Sequence, residues 1–234
     1  MPAQPLIIGA TLPATARRRV GAALLLGLML AAGPASCEPA ATPFAARLVA
    51  AAEARINRTV RYDPAYVRLA YPGGDVADDR GVCTDVVIRA YRALGIDLQQ
   101  RVHEDMRRAF RAYPERWGLK RPDPNIDHRR VPNLRRFFTR HGRALPVSAD
   151  AAAYGPGDIV TWDVARPAPV GQPRLGGGTL RRLRFAQRPH IGIVTAWRSA
   201  DGTRPLIVHN IGAGTRLDDI LFAFEVTGHY RFGS

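Results

Sequence analysis

The sequence predicts an α+β protein, with helices gathered in the first half and an antiparallel sheet in the second. Three observations carry this. Apolar residues recur at helical spacing up to Gly142; short β-branched runs separated by turn residues follow; and the two kinds of segment do not alternate as in a parallel βαβ fold.

Taken in order, Thr42-Pro43 followed by Phe44, Leu48, Val49, Ala52 and Ile56 reads as a capped amphipathic helix. Residues 57–81 are turn-rich, with Asp63-Pro64, Pro72-Gly73-Gly74 and Asp78-Asp79. A second helix is expected over Cys83–Leu94, with Val86, Val87, Ala90 and Leu94 on one side and Gly95 as its stop. A third spans about 102–112 with Met106 and Phe110, and a fourth about 133–140 with Leu134, Phe137 and Phe138. Strands are expected at Asp158–Trp162, His190–Val194 and Leu206–His209, in the pattern of a meander, with one or two more between Leu221 and Phe232. The Pro-, Gly- and Arg-rich stretch from Val164 to Pro189 lacks an apolar period and reads as a basic loop between strands.

The 234 residues, 46% hydrophobic and 23% charged, suffice for one domain with a full core, and a monomer is expected. The formal charge is +14, and Lys120 is the only lysine, so the surface favours anionic partners. No nucleic-acid-binding motif accompanies that charge, and nucleic acid is not an expected partner. Arg17-Arg18-Arg19, the apolar run Val20–Ala32 and the small residues Gly33-Pro34-Ala35-Ser36 form the pattern of a secretory signal over residues 1–36. Cys37 follows, as at the end of a lipoprotein signal, although Pro34 stands where such signals carry leucine. The expected organisation is a signal (1–36), a tail and helix (37–60) and one globular domain (61–234). The expected location is the periplasm or cell envelope, by secretion or by a membrane anchor on Cys37.

Export leaves Cys83 as the one unpaired thiol of the folded part, which invites a reactive reading. It follows Gly81-Val82 and opens a helix, where unpaired N–H groups and the positive dipole end favour a thiolate and an oxyanion. That position predicts a thiol titrating below the ordinary range, stabilised by His190 as imidazolium. His190 opens a strand, and alternation places it with Gly192 and Val194 on one face. His209 ends the next strand, so His209 or Asn210 is in reach to orient the base. Asp85 lies in the first turn of the helix, as a cap or a cleft residue. The His128-Arg129-Arg130 run reads either as a solvated turn or as a grip on substrate carboxylates through His128 and Arg129. Cysteine and two histidines also admit a zinc site, but no close ligand pair supports one, and neither metal nor cofactor is expected.

Gly81-Val82-Cys83-Thr84-Asp85, Pro156-Gly157-Asp158-Ile159-Val160, His190–Val194 and Val208-His209-Asn210 resemble the four landmarks of NlpC-type papain-like cysteine peptidases. Thr84-Asp85 stands where those enzymes usually have Ser-Gly. More closely, the stretch from Arg61 to Phe232 resembles the bacterial family known as domain of unknown function 1287, through Tyr71–Val76, Val102–Met106, Asn125–Leu134 and Gly228–Arg231. The resemblance implies a papain-like fold with Cys83 as nucleophile, His190 as base and His209 as orienter, Asn210 being the alternative. It further implies peptidoglycan, or another anionic envelope polymer, as the partner. A non-catalytic binding module of the same fold is the competing expectation.

Overall fold

The computed structural model describes residues 42–167 and 188–233. The expected signal, Cys37 and most of the basic 164–189 segment lie outside the described residues. Among the described residues no helix is long and apolar enough to cross a membrane.

The first helix, α1 (Pro43–Glu53), starts as its residues dictate: the Thr42 hydroxyl accepts from the Ala45 N–H at 3.2 Å and proline takes the first turn. Its Leu48 and Ala52 are buried in the main core, so α1 belongs to the folded body and does not precede it as a separate tail. A two-residue parallel pair, β1 (Arg61–Tyr62) and β2 (Arg80–Gly81), closes the turn-rich segment. Next comes α2 (Cys83–Ala93), buried from Cys83 through Tyr91 on every side, which makes it the axis of the fold. It stops where Gly95, at φ 80°, adopts the left-handed conformation that ends helices. Arg89 of α2 draws the turn-rich segment onto the helix by donating to Asp75, Thr59 and the carbonyls of Val76 and Ala77. Two amphipathic helices complete the layer, α3 (Leu98–Ala109) and α4 (Val131–His141).

The strands β3 (Arg143–Leu145), β4 (Ile159–Pro167), β5 (Pro189–Arg198), β6 (Pro205–Asn210), β7 (Thr215–Asp218) and β8 (Phe224–Arg231) form one antiparallel sheet. Its spatial order is β3-β8-β4-β5-β6-β7. The expected meander is β4 to β6; β7, which the sequence pattern does not predict, extends it, and β8 returns to close the other side of β4. The two runs expected between Leu221 and Phe232 resolve into a turn and a single strand. The register of that strand on β4 shifts between Thr161 and Trp162, so that Thr227 is left without a Cα partner as a bulge.

Alternation along β5 divides the core. Ile191 and Ile193, with Val208, face α2 and α4, while Val194, Ile207, Val160 and Trp162 form a smaller core on the opposite face with Tyr154 and Leu221. Trp162 donates its indole N–H to the Leu221 carbonyl at 2.9 Å, which satisfies its one polar atom inside that cluster. Asp158, just before β4, accepts from His229 at 2.7 Å and from Nε and Nη2 of Arg231, fastening β8 to β4.

Candidate functional site

Cys83 is the first residue of α2, 4% exposed, at the floor of a groove of about 230 Å³ bordered by Tyr62, Trp117, Arg130, Pro132 and Pro189. The helix start is built by Asp85, whose carboxylate accepts the Val82 N–H at 2.7 Å and frees the next amides. Burial dominates the thiol and pushes it up to about 12. The N–H of Ile191 opposes this, the Asp85 charge adds to it, and the N–H groups of Thr84 and Cys83 itself also oppose it. The low-titrating thiolate expected from the helix start is therefore not the resting state. A half-turn of helix supplies less stabilisation of the anion than water withdraws.

Sγ lies against the amide of the residue that follows His190. Among the described residues no hydrogen bond joins the thiol to either imidazole. His190 is 3% exposed, and burial, then the His209 charge, lowers it to about 3, so it is neutral. Its Nε2 is 3.0 Å from His209 Nδ1, and His209 Nε2 is 3.0 Å from Asp218 Oδ2. Because a carboxylate only accepts, His209 carries its proton on Nε2 and presents a bare Nδ1. That nitrogen must accept from His190 Nε2–H, which leaves His190 Nδ1 with a free lone pair. Asp218 thus sets the tautomers of both rings and makes the buried imidazole a base.

The sheet explains why the rings meet. Gly192 pairs with His209 across β5 and β6, and a methyl group on it would lie 3.1 Å from His209 Cβ and 2.9 Å from the Val208 carbonyl. The space beside the histidine that the glycine was expected to leave is filled by His209. Asp218 pairs with Ile207, two positions along the same face from Arg216, which pairs with His209. That diagonal is within side-chain reach.

Other expected site residues take different places. Asn210 donates to the Gly81 carbonyl at 3.3 Å and accepts from the Gly212 N–H at 3.1 Å, so it holds the loop before α2 and does not orient the base. Arg129 borders the groove, but its forked edge is engaged inside the protein. Its Nε and Nη2 meet Asp85 at 2.9 Å each, both side chains are buried, and the remaining nitrogen reaches the Ala65 carbonyl. Asp85 is correspondingly a cap and an ion-pair partner, closed off from the groove. His128 is 2% exposed and lowered to about 3 by burial and by the charges of Arg129 and Arg92, so it offers no cation to a carboxylate. Among the described residues no group of three His, Cys, Asp or Glu side chains is placed to hold a metal ion.

Sequence reasoning missed Asp218, Tyr62 and Trp117. Tyr62, half-exposed at the groove mouth, is pushed up to about 12 by burial and then by the charges of Cys83 and Asp85, so its phenol shares their surroundings. For Asp218 the signal was present: an acidic residue one hairpin beyond His209.

Fold and site together define a mixed helix and antiparallel-sheet protein in which a helix-opening cysteine lies against the backbone of β5, the strand that also carries the first member of a His–His–Asp chain. The chain belongs to the family described as Domain of unknown function (DUF1287), which matches residues 49–232. A relative from Escherichia coli (strain K12), Uncharacterized protein YijF, is 50% identical over 181 residues, covering 77% of this chain and 78% of its own. The solved structure of NlpC1 from Trichomonas vaginalis is similar over 80% of this chain at 14% identity, with a TM-score of 0.40; the chain spans 44% of that structure's length.

Proposed function

We propose that the protein is an exported cysteine hydrolase with a papain-like arrangement, an amidase or endopeptidase acting on peptidoglycan peptides through a thioester on Cys83. One observation carries the reading: the chain Asp218–His209–His190, which leaves a bare imidazole nitrogen on the residue adjoining the amide at the thiol. Such an alignment has no structural need of a cysteine at the floor of an open groove.

With thiol and imidazole both neutral at rest, His190 works as a general base. The S–H proton passes to Nδ1 of His190 as sulfur attacks the substrate carbonyl carbon. The oxyanion develops beside the N–H groups already directed at Sγ. As the C–N bond breaks, the imidazolium returns its proton to the leaving amine. Water then attacks the thioester, its proton passing to His190, and the thiol is regenerated with release of a carboxylate. His209 and Asp218 are positioning residues.

The competing reading, a non-catalytic binding module, draws on the raised thiol. Digestion of purified sacculi by the full chain and by Cys83→Ala, with fragments identified by mass spectrometry, separates the two. The hydrolase reading expects new fragments from the wild type alone, and no fragments from either protein would favour the binding module.

A further inference from the structure

We infer that the groove over Cys83 contains a carboxylate subsite read by Arg130, so that the substrates are peptides bearing a free carboxylate close to the bond under attack. This rests on the hydrolase reading above and adds the substrate class. Arg129 and Arg130 are neighbours with opposite fates. Arg129 also borders the groove, but its Nε–Nη2 edge is taken up by Asp85, at 2.9 Å through each nitrogen. Arg130 borders the groove, and Nη1 alone is engaged, on Asp127 at 2.9 Å. The same Nε–Nη2 edge of Arg130 has no partner among the described residues. It is the edge that recognises a carboxylate in two parallel hydrogen bonds.

Three further features make this a prepared site. The Arg130 guanidinium lies over the Trp117 ring at 4.1 Å, which fixes its plane in advance and leaves less freedom to lose on binding. Asp127, buried and accepting also from the Asp123 N–H, anchors the far nitrogen. None of the described residues bordering the groove is acidic, so the exposed edge carries a charge that no neighbour on that wall neutralises. Tyr62, Val131, Pro132 and Pro189 make the rest of the wall mainly apolar, and an incoming carboxylate would find one strong partner.

The test uses soluble fragments from purified sacculi, either native or with their carboxylates converted to primary amides. Wild-type full chain should cleave the native fragments at least about tenfold faster in kcat/KM, the order of one charge-assisted contact. Arg130→Gln should remove that preference, and Arg130→Lys, which keeps the charge without the fork, should retain part of it with unchanged circular dichroism. Binding of the same two preparations to Cys83→Ala, measured by calorimetry, supplies a readout that needs no turnover. Equal cleavage of both preparations by the wild type would overturn the subsite and leave the hydrolase standing. If the wild type cleaves neither, the hydrolase fails, and the calorimetry decides the subsite alone. Tighter binding of native fragments that Arg130→Gln abolishes supports it, and equal or absent binding overturns it.

Discussion

Mild acid should destabilise this protein through histidines buried in their neutral form. His128 and His190 are 2% and 3% exposed, and each is lowered from 6.5 to about 3, with burial the first cause in both. A depressed histidine is protonated in the unfolded chain before the folded one, so the unfolded state binds more protons below pH 6.5. Stability is therefore complete above that range and lost as pH falls through it. Between pH 6.5 and pH 5 the linkage amounts to about 3 kcal/mol for the two rings together. His103 and His209, also lowered chiefly by burial, act in the same direction. The carboxylates held low by their partners, Asp105 and Asp158, titrate below this window. Urea unfolding of the full chain at the two pH values measures the loss directly. His128→Leu replaces a buried ring whose Nδ1 has no partner among the described residues, and it should remove about half of the pH dependence. Equal stability at both pH values, or a pH dependence unchanged in His128→Leu, would refute the reasoning.

Gly192→Ala would place a methyl group 2.6 Å from Ile207 Cγ2 and against a strand carbonyl, and it should cost about 1–3 kcal/mol in urea unfolding while parting His209 from His190. A variant as stable and active as the wild type would contradict the close pairing. Arg129→Met leaves Asp85 charged, buried and unpaired at the start of α2, and should cost about 3–5 kcal/mol by thermal or urea unfolding, a loss under 1 kcal/mol speaking against it. Asp218→Ala removes the acceptor that sets both ring tautomers, so kcat should fall about 10- to 100-fold with KM little changed. Asp218→Asn, whose amide oxygen still accepts, should recover part of that loss, and a purely structural carboxylate would show no such recovery.

The sequence made much of this fold legible because the core helices and strands carry strong periodicity and clear stops. Gly95 ended α2 as expected, and the Gly192 face of β5 was read correctly from alternation alone. The edge strands were harder. Arg143-Ala144-Leu145 and Thr215-Arg216-Leu217-Asp218 are short and partly exposed, so packing on one neighbour, not hydrophobic pattern, makes them strands. At the site, the meeting of His190 with His209 followed from adjacent strands. What sequence could not give was the direction of each polar group: that Arg129 turns inward to Asp85, that Asn210 turns to Gly81, or that Asp218 extends the chain. The sign of the thiol shift was lost for a related reason. A helix start is visible in sequence, whereas the depth of burial that outweighs it is a property of the whole packed layer.

The central claim, that Cys83 attacks a carbonyl and holds the acyl group as a thioester, is tested most directly by interception with hydroxylamine. Cleavage of sacculus fragments in its presence should yield products ending in a hydroxamate, identified by mass. These should be absent from Cys83→Ala and strongly reduced in His190→Ala, both with unchanged circular dichroism. Fragments that end only in carboxylates and form equally fast with Cys83→Ala would contradict the account.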